Sequence, residues 1–166
     1  MIVFETSDYS IRQYTLADSG VFFLINGDAD VMRYIRPPKT RAECNAFLAE
    51  NIRRYEEFPG TGRWAVEEKN SGFVIGTFSL LPLEEDPAKF HIGYALLPQY
   101  WGKGIASLLL KAGIEWFFSA HTGETLYAIT VKANLASEKV LVKCGFQLAG
   151  GHGDNENLWT YHELIK

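Results

Sequence analysis

A chain of 166 residues, 47% hydrophobic and 22% charged, is sized for one domain around one core, and its near-average composition argues against disorder. The net charge of −4 and pI near 5.6 disfavour non-specific nucleic-acid binding. Two cysteines, Cys44 and Cys144, suit neither a disulfide framework nor a thiolate metal site, which favours a reducing, cytoplasmic compartment. No apolar run reaches the length of a membrane span, and the start of the chain, Met1 to Asp8, has no basic region followed by an apolar stretch, as a signal peptide requires.

In chain order, Tyr9–Gln13 reads as a short strand, and Asp18 is placed to cap a helix over Val21–Asn26 that Gly27 ends. After Pro37-Pro38, Thr40 starts a second helix whose apolar positions Cys44, Phe47, Leu48, Ile52 and Tyr55 keep helical spacing until Pro59-Gly60. The period then shortens. Arg63–Glu68 and Phe73–Leu81 flank Lys69-Asn70-Ser71-Gly72 as a hairpin, and Phe90–Leu97 is a third strand. Gly104–Ser119 predicts a long amphipathic helix with Ile105, Leu108, Leu109, Ala112, Gly113, Trp116 and Phe117 on its apolar face. Leu126–Val131 reads as a buried strand. Asn134 caps a helix that closes with Lys143 and Gly145, and Gln147–Ala149 and Leu158–Leu164 are the last strands. With no linker or repeat, residues 1–166 read as one domain of mixed α/β (α+β) class.

The stretch Tyr94-Ala95-Leu96-Leu97-Pro98-Gln99-Tyr100-Trp101-Gly102-Lys103-Gly104-Ile105-Ala106-Ser107 carries the chemistry. A strand runs into a glycine-rich turn that opens a helix. Glycines let backbone N–H groups approach a ligand, and the first helical turn adds unpaired donors and the positive end of the dipole. This is an anion site suited to phosphate or pyrophosphate, and Lys103 adds charge. The same pattern also serves as a plain packing turn. The P-loop pattern GxxxxGK[ST] is absent, and a dinucleotide fingerprint fails at Ser107, where a third glycine is needed; the helical, meandering N-terminal half does not build that fold either.

A second stretch, Asn134-Leu135-Ala136-Ser137 followed by Lys143-Cys144-Gly145-Phe146, completes a pair of motifs. Together with Gly102-Lys103-Gly104-Ile105-Ala106 it resembles the GNAT superfamily of acyl-CoA-dependent N-acyltransferases. Ile92-Gly93-Tyr94 and Trp101-Gly102-Lys103-Gly104 are most similar to the branch that holds ribosomal-protein N-terminal (alanine/serine) acetyltransferases. The resemblance runs from about Tyr9 to the end of the chain. It implies a central, mostly antiparallel, splayed sheet flanked by about four helices, opening between the strand that ends near Leu97 and the strand Leu126–Val131. It implies acetyl-CoA as cosubstrate and no metal. The pantetheine arm would pair with backbone at Tyr94, Ala95 and Leu96. The pyrophosphate would sit on N–H groups of Gly102, Lys103, Gly104, Ile105, Ala106 and Ser107. Asn134 would reach the pantetheine or acetyl end. Two family roles do not carry over: the glutamate base of some relatives corresponds to Ile129, and the tyrosine acid to Leu141.

Acyl transfer from a thioester to an amine needs a proton acceptor for the amine, donors for the carbonyl oxygen and a proton for the departing thiolate. His91 is the candidate base, since an ordinary histidine titrates near 6.5; Glu84, Glu85 and Asp86 are rivals, or attract a cationic amine. Ser137 is the candidate donor to sulfur, although Asn134 and Ser137 also suit helix capping alone. A backbone N–H near Leu96 would serve the oxyanion, by resemblance. Arg33, Tyr34, Arg36 and Tyr55 are candidates for lining an acceptor pocket, and Trp159 and Tyr161 for core or cleft wall.

Three readings follow. The first is an acetyl-CoA-dependent N-acetyltransferase acting on a protein N-terminus or a small amine, without direct nucleic-acid or membrane partners. The second is a non-catalytic acyl-CoA-binding sensor. The third is a nucleotide-binding protein using the Gly102–Ser107 turn. No coiled-coil heptad appears, so monomer and homodimer both stand.

Overall fold

The computed structural model describes residues 1–153 and 159–166. In chain order the elements are β1 (Ile2–Glu5), β2 (Tyr9–Gln13), α1 (Ser19–Asn26), α2 (Ala29–Met32), α3 (Arg41–Glu57), β3 (Gly62–Glu68), β4 (Val74–Pro82), β5 (Phe90–Leu96), α4 (Ile105–Ala120), β6 (Thr125–Val131), α5 (Leu135–Lys143), β7 (Gln147–His152) and β8 (Trp159–Ile165). This is the mixed α/β class and strand–helix order expected. Two elements are additional, β1 and the one-turn α2, each of four residues and too short for a periodic signature. The predicted final strand starts at Leu158, which lies outside the described residues.

Among the described residues the strands form one sheet in the order β1-β2-β3-β4-β5-β6-β8-β7. Every neighbouring pair is antiparallel except β5 and β6. The exception follows from the connection: α4 crosses over between β5 and β6, and a crossover returns the chain parallel.

Alternation along each strand separates two faces. On one, Phe78, Leu80, Ile92 and Leu126 are buried beneath α4 with Leu109, Leu110 and Phe117. On the other, Ala65 packs with Tyr14, Phe22, Cys44 and Leu48 under α1 and α3. Gly113 is what lets α4 lie close, because a Cβ there would stand 2.3 Å from Phe78 Cζ. The apolar stripe is shifted slightly from its expected position. Leu108 is exposed, whereas Leu110 is buried, so the buried face leans toward the Ala106–Leu110 side of the helix.

The expected capping role of Asp18 is also corrected. Its carboxylate accepts the Thr15 N–H at 2.7 Å and pairs with Arg12 at 2.9 Å instead of capping α1. Arg12 also pairs with Glu67 at 2.6 Å, and this charge-assisted set ties β2, β3 and the entry to α1 together. Thr40 and Asn134 cap α3 and α5 as the sequence predicts: Thr40 Oγ1 accepts from Glu43 N–H and Asn134 Oδ1 from Ser137 N–H.

Candidate active site

The parallel pair is short. Its register runs only Phe90 to Leu126, His91 to Tyr127 and Ile92 to Ala128. Beyond it, β5 continues to Leu96 and β6 to Val131, so the two strands part and the sheet opens. The direction of the open backbone groups follows from one bond. Leu97 N–H donates to Ile75 O on β4 at 2.9 Å, and alternation then turns Ala95 and Gly93 toward β4 as well. Tyr94 and Leu96 turn their backbone groups to the open edge. The sequence reading that enlisted Ala95 is therefore corrected: its N–H and C=O belong to the β4 ladder, whereas those of Tyr94 and Leu96 face the gap.

The glycine-rich turn lies beyond the end of β5. Gly102 and Gly104 have φ of +72° and +78°, the left-handed region that other residues rarely occupy. A Cβ built on either meets nothing within 4 Å, so the surface over them is open to a ligand. Leu108 N–H makes the first bond of α4, to Gly104 O at 3.1 Å. The N–H groups of Ile105, Ala106 and Ser107 precede it and have no partner within the helix. Lys103 is exposed, its Nζ 5.6 Å from the Tyr100 ring centre. Trp101 anchors the turn by donating its indole N–H to Leu96 O at 2.7 Å. These donors and the positive helix end form a cradle suited to an anion.

Across the gap stands the first turn of α5. Asn134 is half-buried and its Oδ1 accepts Ser137 N–H at 3.2 Å. That bond leaves the Ser137 hydroxyl and the Asn134 amide nitrogen available to other partners. The Tyr94 side chain points to the same face. Burial pushes its phenol above the ordinary range, and the Ser137 hydroxyl beside it partly offsets the rise. Tyr94 thus contributes a protonated phenol as well as backbone, which the sequence did not reveal, because only the strand's register tells which face each residue takes. Cys144 closes this side. Its Sγ contacts Ser107 O at 3.7 Å and burial pushes its thiol up, so it behaves as packing and not as a nucleophile.

His91 lies on the opposite face, in register with Leu81 and Tyr127. Burial and the nearby Arg63 charge lower its pKa to about 4. This corrects the expectation of a base poised near neutrality: the imidazole is neutral at physiological pH but only weakly basic. His91, Gly93 and Ala95 on β5, with Thr77, Ser79 and Leu81 on β4, are each half-buried. The floor on this side of the sheet is partly open, whereas Phe78, Leu80 and Ile92 on the other side are buried.

The acidic loop borders a separate cavity of about 280 Å³ lined by Leu83, Glu85, Asp86, Lys89, Tyr127 and Tyr161. Tyr161 O–H donates to Glu85 at 3.4 Å and Lys89 pairs with Asp86 at 3.4 Å. Of the candidate acceptor residues, Arg33 is exposed and paired with Asp30. Tyr55 is buried and structural, its hydroxyl held by Arg63 O, Asn51 and Tyr14 N–H. Arg36 lies against the Phe47 ring. Tyr161 lines the separate cavity beside the acidic loop. Trp159 is 38% exposed and does not belong to the core. No group of three or more metal-ligating side chains occurs among the described residues. No helix among them is long and apolar enough to cross a membrane.

A family model described as an acetyltransferase (GNAT) domain matches residues 9–147. An uncharacterised N-acetyltransferase of Bacillus subtilis, YoaA, is 27% identical over 150 residues, covering 89% of this chain and 84% of the relative. Among solved structures, an acetyltransferase of the GNAT family from Bacillus anthracis superposes with a TM-score of 0.83 at 21% identity, over 99% of this chain and 98% of that one. RimL, a ribosomal L7/L12 alpha-N-protein acetyltransferase in complex with coenzyme A, superposes with a TM-score of 0.83 at 17% identity, over 99% and 98% of the two chains. At those identities the structural likenesses establish a shared fold.

Proposed function

The chain belongs to the GNAT acetyltransferase family, and from that premise we propose that it transfers the acetyl group of acetyl-CoA directly to a primary amine. The observation that carries the reading is the opening of β5 from β6 after Ile92, with the Gly102–Gly104 cradle at one end of the gap. A strand edge with free amide groups suits the extended, amide-bearing pantetheine arm, and the cradle suits its pyrophosphate. The solved RimL neighbour holding coenzyme A supports the choice of cosubstrate.

Catalysis in this reading is mostly placement. The Tyr94 backbone groups hold the arm along the open edge, since Leu96 O is already taken by the Trp101 indole. The amine arrives from the His91 face, and its nitrogen attacks the thioester carbonyl carbon. The Leu96 N–H faces the developing charge on the carbonyl oxygen. As the carbon–sulfur bond breaks, the Ser137 hydroxyl, with the Tyr94 phenol beside it, supplies a proton to sulfur, and the pair regains that proton from water, which balances the one the amine releases. His91 is neutral and accepts a hydrogen bond from the amine, orienting its lone pair. With its low pKa it passes the surplus proton on to water and does not store it.

The acceptor class is a protein N-terminus or a small amine, and the RimL likeness supports the former. Residues 1–166 act as one domain, in a reducing, cytoplasmic setting supported by the free Cys44 and Cys144. Calorimetric titration with acetyl-CoA, beside ATP and NAD, tests the reading. Selective binding of acetyl-CoA, followed by CoA release with an amine, is the expected result. Absence of acetyl-CoA binding refutes it, and binding without release from any amine leaves the sensor reading in its place.

A further inference from the structure

We propose that the acceptor carries an oxyanion, a carboxylate or phosphate, which seats between Arg36 and Arg63 while its amine lies at the opening of the sheet. The proposal rests on the acetyltransferase reading and narrows its substrate class.

Three cations surround one ring. The Arg36 and Arg63 guanidinium carbons lie 4.9 and 5.1 Å from the Phe47 ring centre, and Lys39 Nζ lies 5.4 Å from it. Arg41 and Arg54 also stack singly on Phe23 and Phe58; what sets this cluster apart is that two half-buried guanidinium groups share one ring. Arg12, Arg33 and Arg53 each hold a carboxylate within 3 Å. Among the described residues, neither Arg36 nor Arg63 has an acidic partner. Arg36 finds only the neutral Asn26 Oδ1, at 2.7 Å, and its Nε is buried with no hydrogen-bond partner. Both guanidinium groups are pushed down by burial, Arg63 to about 10 with the Arg36 charge contributing.

Cation–π contact with Phe47 contributes only a weak attraction per cation. That is small against the cost of holding like charges together away from water. A bound oxyanion removes the repulsion and satisfies the buried donors, and the planar guanidinium fork is well matched to carboxylate and phosphate.

The cluster is built and aimed. The Arg63 carbonyl is held by Tyr55 O–H and by Asn51 Nδ2 at 2.9 Å, which fixes the strand beneath the guanidinium. In register across the sheet, Arg63 pairs with Ser79 and Ser79 with Gly93. Two small residues therefore form the floor from Arg63 to Gly93, one residue past the point where β5 leaves β6. Strand spacing makes that span about 10 Å, the reach of a small amino acid derivative or the first residues of an acidic peptide. The shared chemistry is the oxyanion, and the amine screen separates its sources.

The test has two arms. In the first, melting of the acetyl-CoA-saturated protein is followed while inorganic phosphate or glutarate replaces chloride at constant ionic strength. A rise of several degrees, lost in Arg63→Gln and Arg36→Gln, is expected; a wild-type protein that does not respond, or variants that respond equally, overturns the proposal. In the second arm, CoA release is measured for amine pairs: amino acids against their amides, O-phosphoethanolamine against ethanolamine, and short peptides with and without an acidic second residue. At least a tenfold preference in kcat/KM for the anionic member is expected. Arg63→Gln abolishes that preference and leaves acetyl-CoA affinity unchanged. Equal use of both members, or a preference that survives in Arg63→Gln, is the contrary result. Failure of acetyl-CoA to bind refutes the acetyltransferase reading alone, and the anion arm is then run on the free protein with the same two variants.

Discussion

The Trp101 indole N–H reaches back 2.7 Å to the carbonyl of Leu96, and this bond couples the glycine-rich turn to the open edge of β5, the two parts proposed to hold acetyl-CoA. Leu96 O faces the opening of the sheet, where no β6 partner reaches it. Trp101, although 48% exposed, satisfies it and fixes the path of the chain into Gly102. Trp101→Phe keeps the ring and removes the donor. A single neutral hydrogen bond is worth about 1 kcal/mol net, so acetyl-CoA affinity is expected to fall roughly fivefold with little change in melting temperature. Calorimetry on the variant decides, and unchanged affinity shows that the turn holds its shape without the bond.

Gly104 separates backbone demand from ligand space. Its φ of +78° makes any side chain strained, yet a Cβ meets nothing within 4 Å. Gly104→Ala is therefore expected to fold, with a cost of about 1–2 kcal/mol from the left-handed backbone, and to retain measurable acetyl-CoA binding. Gly104→Glu adds a negative charge where the pyrophosphate is proposed to sit, and binding is expected to disappear. A folded Gly104→Glu protein that binds like wild type removes the phosphate role from this turn.

What the sequence disclosed and what it hid divide along one physical line. The glycine turn, the Asn134 cap and the long helix are local patterns, set by backbone conformation and periodicity within a few residues, and they were legible. The splay was legible only through resemblance, since nothing within Phe90–Leu97 tells where pairing with a distant strand stops. Arg63 escaped notice because a lone arginine at a strand start is ordinary. Its place beside Phe47, Arg36 and His91 arises from the register of three strands and the packing of α3. The low basicity of His91 has the same origin: burial among packed strands depresses it most, and the Arg63 charge that adds to the effect is 28 residues away in sequence.

His91 gives a pH prediction with a definite sign. Its pKa falls from an ordinary 6.5 when unfolded to about 4 in the native protein. Between those values the unfolded chain binds more protons than the native one, so His91 makes stability rise with pH across this window. Its contribution is fully present above about 6.5 and is lost as pH falls toward 4. His91→Gln is expected to flatten this part of the stability curve, measured by urea melts from pH 4 to 7. Arg63→Gln removes a repelling charge, and an NMR titration is expected to show the His91 pKa rising. If His91 titrates near 6.5 in the wild-type protein, both the burial and the Arg63 contributions are wrong.

Ser137 and Asn134 share a helix turn but separate under mutation. The cap bond runs from Ser137 N–H to Asn134 Oδ1 at 3.2 Å, so it uses the backbone of one residue and the side chain of the other. Asn134→Ala removes the cap and is expected to cost about 0.5–2 kcal/mol of stability, together with weaker acetyl-CoA binding. Ser137→Ala leaves the cap intact and removes only the hydroxyl that faces Tyr94. Its melting temperature and acetyl-CoA affinity are expected to stay near wild type while kcat falls at least tenfold, and Tyr94→Phe to lower kcat in the same direction. A double variant that loses no more than the worse single one places both hydroxyls on one proton path to sulfur; losses that multiply assign them separate roles. Ser137→Ala with an unaltered kcat returns Ser137 to capping alone, and the proton for the thiolate must then come from Tyr94 or from water.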